Sequence, residues 1–428
     1  MLTSTPSQAK AKAGAADVHV DVTIVGASLA GCATATLLGR AGVSVCLIDK
    51  HSGPDAYKRL CGHYIQPSAV PIIKRLGLAE PIEAAGGVRN GLDLWTRWGL
   101  IAFPGAPEER VHGYNLQRSQ LDPMIRELAT SIPGVSYMPG YRAMALEGGS
   151  GSDDVVVELS SRSEQVRVKS RVVIGADGRN STIARLAGAS ERRTPNTRFC
   201  CATYFSGVEL PPNSPGGRLW MIGHDLALVA PNDQDVTVLA VFLDKRHQSE
   251  FKVDREAALA NFFTSLPDPP AMADAKCSGP PVGYSDYELI LRDPAPRSNV
   301  ALVGDAGLTS DPAMAIGCGW ALQSAGWLAD ALAPALVEGE PLAPALRRYR
   351  RERRRHLYGH HRMIALDARV RRMSLFQQFM MSASAADSSV GGTLLNFGER
   401  SIPVRSLFVP RTLGRAGLTK LTRKPAVT

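Results

Sequence analysis

No stretch of this 428-residue chain approaches the ~20 consecutive apolar residues that a membrane span needs, so a transmembrane anchor is not expected. The N-terminal stretch MLTSTPSQAKAKAGAADVHV lacks the apolar core of a signal peptide and reads as a disordered lead-in over residues 1–16. Cysteine is sparse and odd in number (Cys32, Cys46, Cys61, Cys200, Cys201, Cys277 and Cys318), without a CxxC pair. That pattern argues against a zinc site or a disulfide framework and for reduced thiols in the cytoplasm. Internal repeats and low-complexity blocks are missing too. The remaining composition, 44% hydrophobic and 21% charged, is that of a globular chain long enough for two domains and a C-terminal appendage.

Charge is present in excess and unevenly spread. The net charge of +9 owes much to Arg347–Arg362, RRYRRERRRHLYGHHR, which sets eight arginines against one glutamate. Nucleic-acid binding would need an interleaved aromatic platform or a DNA-reading motif, and neither accompanies the run. The expectation is a solvated face of one long helix, with Leu346, Tyr349, Leu357 and Tyr358 turned inward.

Three stretches carry the chemistry. Asp17–Val25 turns apolar as a buried first strand does and runs into Gly26-Ala-Ser28-Leu-Ala-Gly31, a small-residue helix, and a second strand ending at Asp49. This is a βαβ dinucleotide fingerprint: Gly26 for the tight turn, Gly31 for close helix packing, the helix start for a pyrophosphate, and Asp49 for a ribose. Ser28 replaces the middle glycine and can offer its hydroxyl to phosphate. The second stretch, Arg171–Arg185, reads RVVIGADGRNSTIAR: an apolar strand, a Gly-Ala-Asp-Gly turn and a helix. The third, Ala301–Ala333, reads as a short strand broken at Gly304-Asp305, a loop through Pro312 and Gly317-Cys318-Gly319, and a helix from about Trp320. Its helix start suits an anion or polarised carbonyl. Between the second and third, residues 191–292 change to short strands interrupted by a helix over Arg255–Ser265.

In order and spacing the three motifs resemble those of FAD-dependent monooxygenases of the para-hydroxybenzoate hydroxylase type, the class A flavoprotein monooxygenases, over about residues 18–340. The resemblance implies an α/β protein with a Rossmann-like FAD-binding domain (17–84, 111–190 and 293–340). It would be interleaved with a mainly antiparallel β-sheet substrate domain (85–110 and 191–292) and followed by a C-terminal helical region and tail (341–428). FAD would be the cofactor and NADPH or NADH the electron donor, and a flavin C4a-hydroperoxide formed with O2 would hydroxylate or epoxidise a substrate. By position, Gly26, Ser28 and Gly31 would hold the pyrophosphate, and Asp49 the adenosine ribose. Arg118 and Arg59 would reach the phosphate–ribityl region. Asp177, braced by the charge of Arg185, would serve both FAD and NAD(P)H. Gly304 and Asp305 would meet the ribityl chain, and Pro312, Gly317, Cys318 and Gly319 would lie along the flavin ring.

The chain departs from the family's commonest pattern at Leu308, Met314 and Gly319, where histidine, a small residue and asparagine are usual. The flavin carries the chemistry, so no acid–base triad is required, and none is evident. His63, His112 and His224 are candidates for assisting deprotonation of a phenol or indole, with Met314 near the oxygen-reacting face. Tyr204, Phe205, Trp220 and Met221 are candidate pocket residues, all with core packing as the ordinary alternative. The substrate class expected is an apolar aromatic or polycyclic small molecule of specialised (secondary) metabolism, with a separate flavin reductase as an open option and no metal.

Three other readings compete. A flavin-dependent halogenase would need a WxWxIP stretch, which is missing; Trp95-Thr-Arg-Trp98 has the wrong spacing. A geranylgeranyl-reductase-like FAD reductase is echoed by Arg59-Leu-Cys61-Gly62 and Leu76-Gly-Leu78. A flavin-binding basic interaction protein would use Arg347–Arg362. A plain NAD(P)-dependent dehydrogenase leaves the second and third motifs unexplained.

Overall fold

The computed structural model describes residues 17–422 except 60, 106–109, 150–153, 212, 213, 215, 295–298, 370 and 371. The lead-in expected over residues 1–16 lies outside the described residues.

The strand Asp17–Val25 is the centre of a seven-stranded sheet. It pairs in parallel with Val45–Asp49 on one side and with Gln165–Gly175 on the other. Val135–Pro139 extends the sheet beyond Val45–Asp49, again in parallel. The long strand Gln165–Gly175 is shared: its first half takes the antiparallel strand Val155–Ser160, and its last three residues pair in parallel with Val300–Leu302. Registration then decides the site. Val25 stands opposite Gly175, and Gly175 opposite Leu302, so three parallel strands end level with one another. All three sequence motifs leave the sheet from that one edge, where open α/β sheets bind ligands.

The strands are near-continuous apolar runs because both faces are covered, one by helices and the other by the strands Arg142–Gly148 and Val155–Ser160 with the short helix Thr182–Leu186. Leu29–Arg40 and Gly317–Val337 pack together over one face, in a core with Val22, Ile24, Leu38, Leu322 and Leu332. The second helix begins at Gly317 rather than near Trp320, so the Gly-Cys-Gly segment is its first turn and not a loop before it.

The second sheet has eight strands, including Asp93–Thr96, Gly99–Ile101, Arg198–Ser206, Arg218–Ile222, Asp225–Pro231 and Val236–Asp244. Its pairings are antiparallel apart from Arg218–Ile222 with Asp93–Thr96. Side chains alternate between its faces with period two. Phe199, Cys201, Phe205 and Trp220 pack under the helix Arg255–Thr264, against Leu259 and Phe263. Cys200, Ala202, Tyr204, Leu219 and Met221 share the other face with Ala313 and Met314, which belong to the third motif.

The Arg-rich run lies on a continuous helical path: Leu342–Arg353, a π-helical turn over Arg354–Tyr358, then Gly359–Arg369. Leu346, Tyr349 and Leu357 are buried and Tyr358 half-buried, while Arg347, Arg348, Arg351, Arg354, Arg355 and Arg362 are exposed. Arg353 departs from that solvated pattern. It is buried, ion-paired to Asp293, and donates to the Arg292 carbonyl at 2.8 Å.

The chain beyond Ala385, which shows few signals in sequence, is helical as well. Leu375–Ala386 starts in a capping box between Ser374 and Gln377, Asp387 caps Ser388–Gly398, and Pro410–Thr422 follows. Among the described residues no helix is long and apolar enough to cross a membrane.

Candidate functional site

The level strand ends bring the motifs together. Gly26 has φ +110°, and a Cβ on it would lie 2.4 Å from the Ala176 carbonyl oxygen. A Cβ on Gly31 would lie 1.8 Å from the Gly26 oxygen. Neither position admits a side chain, so the loop presses directly on the second motif and the helix Leu29–Arg40 starts at its rim. Ser28 precedes that helix without capping it; its hydroxyl instead accepts a 2.8 Å hydrogen bond from Arg118. The unpaired N–H groups of the helix start therefore face the site. The Asp49 carboxylate ties this loop down, accepting from the backbone N–H of Ala27 at 3.1 Å and of His51 at 2.8 Å.

Arg118 is the hub. It opens the helix Arg118–Ser131, is buried, and pairs with the buried carboxylate of Asp122. Its guanidinium also lies 3.7 Å from the sulfurs of both Cys61 and Cys318, and its backbone N–H donates to His63 Nδ1 at 2.9 Å. The two thiols, from segments 257 residues apart, stand 3.7 Å from each other.

His63, in a left-handed conformation (φ 57°), bonds through Nε2 to the hydroxyl of Tyr204 on the second sheet. Because Nδ1 accepts a backbone N–H, the neutral ring carries its proton on Nε2. Burial lowers the His63 pKa, favouring that neutral form. Burial likewise pushes the Tyr204 phenol well up, so it stays protonated. His63 thus donates to the Tyr204 oxygen and leaves the Tyr204 O–H free to donate elsewhere.

Asp305 sits one residue past Gly304 and bonds Lys58 at 2.8 Å. Lys58, rather than its neighbour Arg59, is the basic residue of its segment that pairs with Asp305. Nothing in sequence marks it except its place two residues before Leu60-Cys61-Gly62. The Asp177 carboxylate accepts from Ser181 at 2.5 Å, Thr182 at 2.6 Å and Ile183 at 3.1 Å. The short helix Thr182–Leu186 braces that turn; among the described residues Arg185 makes no ion pair with Asp177, contrary to the expectation from charge.

The third motif is clamped from outside. Asp311 is wholly buried, caps the turn Pro312–Met314 through the Ala313 N–H, and pairs with Arg198 at 2.7 Å. Arg198 pairs with Asp367 as well and donates to the His224 carbonyl. His224 belongs to this clamp, with Nε2 on the Thr197 hydroxyl at 2.8 Å, and burial lowers its pKa. His112 lies apart, edge-on to Tyr114, and plays no part here. Met314 joins the face holding Tyr204 and Met221, and its carbonyl accepts from Gln66 at 3.4 Å. Phe205 and Trp220, candidates for the pocket by sequence, point away on the opposite face beneath the helix Arg255–Thr264; strand alternation separates them from their neighbours Tyr204 and Met221. Sequence reasoning missed Gln66, Lys58, Arg198 and Asp311, whose roles come from long-range pairing.

The donor set suits FAD: side-chain-free backbone at Gly26 and Gly31, two helix starts, a buried arginine, and a carboxylate at each of the expected ribose and ribityl positions. Open space surrounds Gly317, and the nearest neighbour to a Cβ on Gly319 would be 3.7 Å away. A flat ring can therefore approach that turn. Among the described residues no group of three or more His, Cys, Asp and Glu could hold a metal ion.

Comparison with known proteins agrees with this geometry. The family described as FAD binding domain matches residues 19–359. A digeranylgeranylglycerophospholipid reductase from Methanothermobacter thermautotrophicus is 28% identical over 361 residues, covering 78% of this chain and 82% of that protein. Among solved structures, a triple mutant of the flavin-dependent brominase Bmp2 superposes with TM-score 0.75 at 18% identity, over 94% of this chain and 99% of the other. The p-nitrophenol 4-monooxygenase PnpA from Pseudomonas putida DLL-E4 superposes with TM-score 0.70 at 18% identity, over 90% and 99%.

Proposed function

This chain belongs to the FAD binding domain family, the flavoenzymes of the para-hydroxybenzoate hydroxylase type, and on that footing we propose that it is an FAD-dependent monooxygenase acting on an apolar aromatic or polycyclic molecule. NADPH or NADH is the electron donor, O2 the co-substrate, and specialised metabolism in the cytoplasm the setting. The observation that carries the reading is the apolar face of Ala202, Leu219 and Met221 lying over Ala313 and Met314, with the free Tyr204 O–H within it.

When bound, FAD accepts a hydride from the nicotinamide and, with O2, supplies one oxygen atom to the substrate. The protein's share is binding, placement and dryness. Arg118, Ser28 and the start of the helix Leu29–Arg40 neutralise the pyrophosphate. Asp305, paired with Lys58 here, would offer its carboxylate to the ribityl hydroxyls. The N–H groups opening Gly317–Val337 would be offered to the polarised edge of the ring. The Arg198–Asp311–Asp367 cluster holds the Pro312–Met314 turn against the second sheet, and that apolar face excludes the water that would divert the oxidant. Tyr204, kept protonated, donates a hydrogen bond to a substrate oxygen and fixes the ring's orientation.

The reductase and brominase likenesses favour two neighbouring chemistries, alkene saturation and halogenation. All three separate in one experiment. FAD-loaded protein is incubated with NADPH, chloride or bromide, and isotopically labelled O2 across a panel of phenols, indoles and polycyclic compounds. One labelled oxygen per product supports the proposal. A product gaining two hydrogens without need of O2, or a halogen, overturns it. A separate flavin reductase restoring turnover would make the enzyme two-component and leave the oxygenation reading intact.

A further inference from the structure

The Arg118 thiols have no task in binding or oxygen transfer. Cys61 lies in the turn before His63, and Cys318 in the first turn of Gly317–Val337; their sulfurs are in contact at 3.7 Å. A disulfide needs about 2.05 Å, so the sulfurs must close by roughly 1.6 Å. Room for that shift is at hand: Gly62 and Gly317 flank the pair, and a Cβ on either would meet nothing within 4 Å. The guanidinium at 3.7 Å from both sulfurs makes the spot hostile to a metal cation and hospitable to a thiolate.

We infer that Cys61 and Cys318 form a redox-active dithiol that reduces hydrogen peroxide inside the flavin site and closes to a disulfide. The roles are distinct. The hydrogen bond from Cys318, followed by the charges of Arg118 and Lys58, outweighs burial and holds Cys61 well below the ordinary thiol range. The same pairing pushes Cys318 well above it. Cys61 is also the more accessible of the two.

Cys61 is the attacking thiolate and Cys318 the resolving thiol. The Cys61 sulfur attacks one peroxide oxygen; the S–O bond forms, the O–O bond breaks, and hydroxide departs to be protonated to water. The sulfur is oxidised by two electrons to the sulfenic acid. The Cys318 sulfur then attacks Cys61, the S–S bond forms and the S–O bond breaks, and the Cys318 proton leaves with the second water. Dithiol and peroxide thus give disulfide and two waters.

The other cysteines lack these features. Burial pushes Cys46 and Cys201 up to about 11 and Cys32 and Cys200 higher still. The Cys277 thiol donates to the Gly279 carbonyl at 3.0 Å.

The test needs neither NADPH nor substrate, so it is independent of the monooxygenase reading. FAD-loaded protein is treated with one equivalent of hydrogen peroxide, unfolded in N-ethylmaleimide, digested without reductant, and mapped by mass spectrometry. Two of the seven thiols are lost, in one peptide joining Cys61 to Cys318, and dithiothreitol restores them. In Cys318→Ser, dimedone traps sulfenic acid on Cys61; in Cys61→Ser, Cys318 stays unmodified. Seven intact thiols, first oxidation at another cysteine, or equal oxidation of Cys318 in Cys61→Ser overturns the proposal. Should either variant fail to fold, the wild-type cross-link map decides alone.

Discussion

Glu399→Gln should stabilise the protein, and only in neutral to alkaline solution. Glu399 follows the helix Ser388–Gly398 and is 4% exposed, with no hydrogen-bond partner on either carboxylate oxygen. Burial pushes its carboxyl from 4.5 up to about 8; the Leu92 amide, which faces it without reaching hydrogen-bond geometry, and the Arg110 charge offset only part of that cost. Below pH 4.5 the carboxyl is protonated whether folded or not, so it contributes no pH dependence. Between 4.5 and 8 the unfolded chain releases a proton that the folded chain retains, and stability falls by about 1.4 kcal/mol per pH unit, flattening above 8. The accumulated cost is about 4–5 kcal/mol. Glutamine has nearly the same shape and is equally unpartnered, so those penalties cancel, and the variant keeps what the wild type loses. Relaxation around residue 399 makes the figure a ceiling, and we expect a gain of at least about 2 kcal/mol at pH 8.5 and nearly none at pH 5.

Buried His360 and His361, lowered to about 3 and about 4 by desolvation, act in the other direction. Below about 6.5 the unfolded chain takes up protons that these rings refuse, so stability falls with acid. Wild type should therefore be most stable near pH 6.5, and Glu399→Gln should stay level from there to 8.5. Urea midpoints of both proteins at pH 5, 6.5 and 8.5 measure this. Parallel curves would show that the carboxyl is ionised or solvated, and the reasoning from burial would fail.

Arg198→Met should cost about 3–5 kcal/mol by leaving Asp311 charged and buried, with Asp311→Asn recovering part of it in the double variant. A urea midpoint within about 1 kcal/mol of wild type would remove the clamp from the account. Gly31→Ala sets a Cβ 1.8 Å from the Gly26 oxygen; relieving about 3 kcal/mol of strain should weaken FAD binding roughly a hundredfold. Stoichiometric flavin in the purified variant would contradict the turn geometry. Tyr204→Phe should slow oxygenation of a phenolic substrate by about ten- to a hundredfold, the worth of one oriented hydrogen bond, while flavin reduction is unchanged. Equal rates would take Tyr204 out of the pocket.

What was legible in the sequence was local. Gly26, Gly31 and Asp49 declare a strand–turn–helix because backbone approach and a terminal acid leave residue-type signatures at fixed spacing. The resemblance of the three motifs gave their common destination, and the level strand ends at Val25, Gly175 and Leu302 give its physical cause. Period-two alternation separates Tyr204 from Phe205, yet sequence alone does not say which face meets Met314. Roles made by distant partners were silent: Lys58 on Asp305, 247 residues away, Arg198 on Asp311, and buried Arg353 inside a run that otherwise reads as solvated. A helical C-terminal region was expected and is there; what went unread was the helical order of the tail beyond Ala385. Ser374 with Gln377 three residues on is a capping-box spacing, and Asp387 is a ready N-cap.

The central claim is that this fold holds FAD between its two sheets for reduction by a nicotinamide and reaction with oxygen. Anaerobic mixing of the FAD-loaded protein with NADPH or NADH, followed by loss of the oxidised-flavin absorption, tests it most directly. The account predicts bleaching that quickens when a phenolic or indolic compound is present, and recovery of colour with oxygenated product on admitting air. A protein that takes up no FAD, or whose bound flavin is neither bleached by nicotinamide nor oxygen-reactive after chemical reduction, would contradict it.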